Sequence, residues 1–200
     1  MVNIKRLGHS SFKIDYGGFI IYIDPYKINR DETADMVLVT HSHFDHCSPD
    51  DIDKVAGPNT WIICPGDCEQ KLIGNIKVMR PFARAEHLGT IIETVPAYNI
   101  DKEFHPKSSG WLGYIIERSG TRIYHAGDTD LIPEMEQLKD IDYALLPVGG
   151  IYTMDARLAA KAATIIKPKI AIPMHYGSVV GCDSDAETFK NLCRCDVKIM

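Results

Sequence analysis

Apolar residues along this chain gather in short runs, and the polar positions between them set the period. Residues 3–7, 11–15 and 19–24 read as strands, with Gly17-Gly18 as the hairpin turn between the latter two. Residues 36–40 form a short, almost wholly apolar run, the pattern of a strand buried on both faces. Residues 49–56 predict a short helix, with Ser48 as N-cap and Pro49 at the first helical position. Strands follow at 61–64 and 76–79, with a helix beginning near Asp67 between them.

The pattern then repeats in outline. Strands are predicted at 90–95, 112–117 and 122–125, a helix at 131–139, a buried strand at 143–147 and an amphipathic helix at 155–166. A buried strand at 170–174, a helix at 185–192 and a closing strand at 196–199 complete the chain. Strand clusters followed by strand–helix alternation predict an α+β fold, a four-layer αββα sandwich of two packed mixed sheets with helices on the outer faces. No linker or low-complexity stretch interrupts this pattern, so residues 1–200 are expected to form a single domain.

Composition narrows the class. Of 200 residues, 45% are hydrophobic and 24% charged, the balance of a soluble globular protein with a substantial core. No apolar run approaches the ~20 residues that span a bilayer. The N-terminus lacks the plan of a signal peptide, so a cytoplasmic protein is expected. A formal net charge of −5 offers no general attraction for a polyanion, which favours a small-molecule substrate over nucleic acid. The six cysteines contain no CxxC pair, so reduced interior thiols are expected rather than a zinc ribbon. Cys47 stands out because it directly follows a dense polar cluster.

That cluster is His41-Ser42-His43-Phe44-Asp45-His46, at the end of the apolar run 36–40. Two further apolar strands end in similar chemistry: residues 122–125 run into His125-Ala126-Gly127-Asp128-Thr129, and residues 170–174 end in His175. Strand ends are where a rigid scaffold presents reactive groups. Four ligand-type side chains within a tight loop can be split between two ions, His41 and His43 facing one while Asp45 and His46 turn towards a second. Imidazole and carboxylate suit zinc, and also manganese or iron. Two such ions ~3.5–4 Å apart would hold a bridging hydroxide that is nucleophilic at neutral pH.

With Leu7-Gly8-His9-Ser10-Ser11-Phe12, Tyr22-Ile23-Asp24-Pro25 and Pro173-Met174-His175-Tyr176-Gly177, these motifs make nearly the whole chain resemble the metallo-β-lactamase-fold superfamily. Within it, the chain is similar to the metal-dependent hydrolase branch, near the lactonase-like and phospholipase-D-like members. The resemblance implies that His41 and His43 hold one metal, that Asp45, His46 and His175 hold the other, and that Asp128 bridges both. It implies one or two Zn2+ per chain, with Mn2+ or Fe2+ as alternatives. Asp24 is expected to orient a ligating histidine through its other ring nitrogen. His9 and His125 are expected near the site without ligating.

The chain departs from the family in one place. Where a third histidine for the first metal is usual, the stretch Val95-Pro96-Ala97-Tyr98-Asn99 presents Asn99. An amide oxygen is a weaker zinc ligand than imidazole, so a labile first site, a harder ion such as manganese, or a single occupied site would follow. His105 is either a replacement ligand or a proton carrier, and the carrier or substrate-contact role is the favoured expectation. Asp45 is expected to orient the attacking water and accept its proton, with Tyr152, Tyr176 and Lys107 as substrate contacts. Gly149-Gly150 either lets a substrate approach the backbone or forms a turn. The expected activity is hydrolysis of a small ester, lactone or phosphoester. Its rivals are a nuclease or phosphodiesterase acting on nucleic acid, a redox enzyme with iron and a flavin domain, and a non-catalytic metal-binding regulator.

Overall fold

In the computed structural model, which describes residues 2–200, the chain forms two compact units, Met1–Arg80 and Pro81–Met200. Each unit contains one mixed sheet, and each sheet begins antiparallel and continues parallel.

The first unit carries strands β1 (Asn3–Gly8), β2 (Ser11–Asp15), β3 (Ile20–Ile23), β4 (Met36–Leu38), β5 (Trp61–Cys64) and β6 (Asn75–Val78), hydrogen-bonded in that order. β1, β2 and β3 pair antiparallel, and β3 to β6 pair parallel. The hairpin after β2 turns through Gly17 (φ 79°) and Gly18 (φ 102°), and both of their N–H groups donate to Asp15 Oδ1 at 2.8 Å. All residues of β3 and β4 are buried, as expected of parallel strands covered on both faces. Ile20, Tyr22 and Val37 from these strands join Ile52, Val55, Ile62 and the thiols of Cys47, Cys64 and Cys68 in one apolar core.

Helix α1 spans only Pro49–Ile52, shorter than the run 49–56 expected. Ser48 stands at its N-cap without bonding the backbone. Its hydroxyl donates to Asp51 Oδ2 at 2.8 Å instead. The Asp51 carboxylate also accepts from the Lys27 and Ile28 N–H groups and from Lys54 Nζ, so it ties the loop after β3 to α1. The helix expected near Asp67 is a single 3-10 turn, Glu69–Lys71.

The second unit carries β7 (Arg84–His87), β8 (Thr90–Pro96), β9 (Leu112–Arg118), β10 (Thr121–His125), β11 (Tyr143–Pro147), β12 (Ile170–Met174) and β13 (Asp196–Val197). β7 to β10 form an antiparallel meander, and β10 to β13 pair parallel. β7 was not expected, because Arg84-Ala85-Glu86-His87 has too few apolar side chains. It is an edge strand, where charge discourages pairing with another chain.

Helix α2 (Ala156–Ile166) starts where Asp155 accepts from the Leu158 N–H at 2.8 Å and stops at Lys167 (φ 56°) before Pro168. Helix α3 covers Asp183–Leu192. The helix expected at 131–139 is a 3-10 segment, Pro133–Gln137, that ends before a left-handed Asp140 (φ 55°). Among the described residues no helix is long and apolar enough to cross a membrane. The thiols of Cys47, Cys64 and Cys68 are interior as expected, whereas Cys182 is exposed and Cys193 and Cys195 are half-buried.

Candidate metal centre

In the first unit, β3 and β4 end side by side, and the loops that follow them meet at the Asp24 carboxylate. The Thr40 N–H donates to Asp24 Oδ1 at 2.7 Å, the Thr40 hydroxyl donates to Oδ2 at 2.6 Å, and His46 Nδ1 lies 2.7 Å from the same Oδ2. A carboxylate can only accept here, so His46 carries its proton on Nδ1 and directs Nε2 away from Asp24. The Thr40 hydroxyl has already given its proton to Asp24. His41 Nδ1, 2.9 Å from Thr40 Oγ1, must therefore be a donor as well. One buried aspartate thus fixes the tautomer of two histidines.

The freed His41 Nε2 lies 3.1 Å from His43 Nδ1. Two nitrogens bound to one tetrahedral zinc stand about 3.3 Å apart, given bond lengths of ~2.05 Å. His9 Nε2 lies 3.1 Å from Asp45 Oδ2, and ligand atoms of His9, Asp45 and His46 all fall within 4.8 Å of one another. The turn is closed by the Cys47 N–H donating to the His43 carbonyl at 2.8 Å, and it is held from outside by Lys71 Nζ on the Ser42 carbonyl at 2.8 Å.

In the second unit, Asp128 follows β10 and His175 follows β12. Asp128 Oδ2 lies 2.8 Å from His175 Nε2 and 3.4 Å from His105 Nε2, all three residues being buried. One carboxylate oxygen therefore has an imidazole nitrogen on each of two sides. The loop after β8 is stitched to the loop after β10: Thr129 Oγ1 donates to the Tyr98 carbonyl at 3.1 Å, and the Asp130 N–H donates to it at 2.9 Å. Gly149 follows β11 and passes so near His175 that a Cβ would sit 2.4 Å from the His175 carbonyl oxygen. Gly149 thus admits backbone, and Gly150 (φ 83°) makes the turn.

Three residues of these clusters hold left-handed backbone: His9 (φ 46°), Asp24 (φ 44°) and His175 (φ 58°). His125 has a structural arrangement, its Nδ1 accepting from the Gly127 N–H at 3.2 Å.

The other expected site residues make contacts of their own. Asn99 Oδ1 accepts from the His105 N–H at 3.0 Å and faces His105 Nδ1 at 3.0 Å, so this oxygen is engaged within its own loop rather than turned outwards as a ligand. Tyr176 is buried, and its hydroxyl donates to the Met200 carbonyl at 3.4 Å, which removes it from the expected substrate contacts. Lys107 is held by Glu134 Oε1 at 2.9 Å and Tyr98 Oη at 3.1 Å, and the bond to Glu134 raises its pKa above the ordinary lysine value. Partial burial pushes the Glu134 carboxyl up, but the bonds from Lys107 and Tyr98 outweigh it and bring the group below its usual range. Tyr152 is partly buried with its ring edge-on to Phe104, centroids 4.7 Å apart. Thr40 was missed as a site residue, and its place between Asp24 and the histidine cluster was the available signal.

The donor set fits a divalent ion: imidazole nitrogens with assigned lone pairs, beside carboxylates, in buried positions. Comparison with known proteins agrees. Residues 3–175 match the family model described as a beta-lactamase superfamily domain. The chain is 34% identical over 208 residues to a metal-dependent hydrolase of Thermococcus onnurineus, covering 96% of this chain and 92% of that protein. A crystal structure from Parabacteroides distasonis, described as a metal-dependent hydrolase, superposes with a TM-score of 0.90 at 37% identity, covering 99% of this chain and 92% of that one. A metallo hydrolase from Ignicoccus hospitalis gives a TM-score of 0.80 at 26% identity, covering 100% of this chain and 94% of the other. The α+β class expected from the sequence is the fold class of these metallo-β-lactamase relatives. The chain belongs to the beta-lactamase superfamily domain family, among its metal-dependent hydrolases.

Proposed function

We propose that the protein hydrolyses a small ester, lactone or phosphoester at a metal centre. Its ligands on this reading are His41, His43, Asp45 and His46 from the first unit and Asp128, His175 and His105 from the second. The match of one family model to residues 3–175, which include both groups, supports taking them together. The observation that carries the reading is the Asp128 carboxylate, whose Oδ2 has His175 Nε2 at 2.8 Å and His105 Nε2 at 3.4 Å. An oxygen flanked in this way suits a carboxylate shared by two ions. His105 thereby replaces Asn99 in the ligand set and leaves its expected role as proton carrier.

When bound, a divalent ion, zinc first and manganese or iron after it, supplies Lewis acidity and lowers the pKa of coordinated water. Asp45 orients the attacking water and accepts its proton. His9, 3.1 Å from Asp45 Oδ2, keeps that carboxylate in place. Asp24 and Thr40 hold His46 and His41 in the tautomer that points Nε2 outwards. Free thiols at all six cysteines suit a reducing compartment such as the cytoplasm. A net charge of −5 favours a small substrate over a polyanion.

The test is metal analysis of freshly purified protein together with a panel of lactones, simple esters, phosphodiesters and thioesters. Bound metal and turnover of one class, abolished in Asp45→Ala, would support the reading. A protein that remains inactive on the whole panel after loading with zinc or manganese would overturn it.

A further inference from the structure

Asn99 was expected as a metal ligand, yet every bond of its side chain is directed at holding another residue. Its backbone N–H donates to the His105 carbonyl at 2.7 Å, and its Oδ1 accepts from the His105 N–H at 3.0 Å. Its Nδ2 donates to the Tyr152 carbonyl at 2.9 Å. These bonds fix the amide orientation independently of the imidazole, because a backbone N–H can only donate and a backbone carbonyl can only accept. His105 Nδ1 then faces two acceptors, Asn99 Oδ1 at 3.0 Å and the Tyr152 carbonyl at 3.2 Å. With acceptors on that side, the ring proton belongs on Nδ1, and the Nε2 lone pair points towards Asp128 Oδ2.

We propose that Asn99 is a positioning residue: with the Tyr152 carbonyl, it locks His105 in the Nδ1–H tautomer and presents Nε2 as a metal ligand. The inference rests on the metal reading above. A hydrogen bond to the far ring nitrogen orients a ligating histidine and raises its basicity, and losing such a partner costs ~10–100-fold in metal affinity. Here the partner is an amide six positions before the histidine in the sequence, within the loop that connects β8 to β9. Trp111 closes the other side of the ring edge-on, with centroids 5.5 Å apart.

The experiment compares wild type with Asn99→Ala, Asn99→Asp, His105→Ala and the double variant Asn99→Ala/His105→Ala. Cobalt(II) affinity is measured by chelator competition and by the visible absorption of the bound ion. Exchange of the His105 ring N–H is followed by NMR on protein with 15N-labelled histidine. Asn99→Ala is expected to weaken one cobalt equivalent by ~10–100-fold, and the double variant is expected to bind no more weakly than His105→Ala. Asn99→Asp, which keeps the acceptor facing His105, is expected to recover most of that affinity. A protected Nδ1–H on His105 should be present in wild type and Asn99→Asp and absent in Asn99→Ala. Losses that add in the double variant, or an Nδ1–H unchanged in Asn99→Ala, would overturn the proposal. A wild type that takes up no cobalt while keeping that protected proton would overturn the metal reading and leave the anchoring of His105 by Asn99 in place.

Discussion

Asp24 Oδ2 lies 2.7 Å from His46 Nδ1, with both side chains wholly buried. The same carboxylate takes the Thr40 N–H and hydroxyl, so one residue supports both the loop and the histidine. Asp24→Ala is expected to weaken metal binding by ~10–100-fold and to cost ~1–3 kcal/mol of stability through the donors left behind. Chelator competition reads the first effect and urea unfolding of the metal-free protein reads the second. Lost stability with unchanged metal affinity would reduce Asp24 to a purely structural residue.

Gly149 and Gly150 should respond differently to the same substitution. An alanine Cβ at 149 would meet the His175 carbonyl oxygen at 2.4 Å, whereas at 150 its nearest neighbour is Asp155 Cβ at 3.5 Å. Gly149→Ala is expected to displace His175, costing ~1–3 kcal/mol of stability together with metal affinity. Gly150→Ala should cost ~1–2 kcal/mol for its left-handed backbone and leave metal binding intact. Melting curves and metal titrations of the two variants separate the effects, and equal metal affinities would contradict the expectation.

The proposal that two ions share Asp128 predicts a recognisable pattern of loss. His105→Ala and His175→Ala are each expected to lower the bound zinc by about one equivalent per chain, from different sites, if each imidazole serves one ion. Asp128→Asn should weaken both. Elemental analysis after dialysis against a weak chelator, with cobalt absorption to tell the sites apart, gives the answer. Identical spectral losses in the two histidine variants would place both imidazoles on one ion.

Asp51 predicts a component of acid sensitivity away from the metal ligands. Burial pushes its carboxyl up, but bonds from Lys54, Ser48 and the N–H groups of Lys27 and Ile28 outweigh this and bring it below 3.8. A carboxyl with a depressed folded pKa contributes stability that is fully present above 3.8 and is lost as pH falls through the folded value. Asp51→Asn should therefore be less stable than wild type at neutral pH, and the gap should narrow below ~pH 3.8. Urea midpoints across that range check it, and a gap independent of pH would exclude a contribution from the charge.

Much of this arrangement was legible in the sequence because burial and chemistry coincide there. The inner parallel strands are apolar runs, and three of them deliver His41, His125 and His175 at or just beyond their ends. The Asp24-Pro25 corner likewise marked an orienting carboxylate. Tight 3-10 turns were not legible, since Glu69–Lys71 and Pro133–Gln137 have helix-forming composition and differ only in how the chain closes. Nor was the support of His105 by Asn99. It depends on side-chain-to-backbone bonds across an irregular loop, which no hydrophobic period encodes. Tyr176 misled for a related reason: an aromatic residue beside His175 reads as a rim, but it is buried, with its hydroxyl donating to the Met200 carbonyl.

The left-handed backbone at His9, Asp24 and His175 has an evolutionary consequence. A side chain at such a position costs roughly 1–2 kcal/mol relative to glycine. Under selection for stability alone, the His9 and His175 codons are expected to drift towards Gly or Asn, whereas Asp24 is also held by the buried Thr40 and His46 donors that it satisfies. Under selection for chemistry they are pinned, because no other residue type returns the lost imidazole or carboxylate. In a deep mutational scan, substitutions there should separate the two pressures, keeping abundance near wild type with Gly at His9 while activity collapses. Left-handed backbone also falls at Lys27, Phe82, Leu88, Ser119, Asp140 and Lys167, so it is its coincidence with an imidazole at His9 and His175 that such a scan tests.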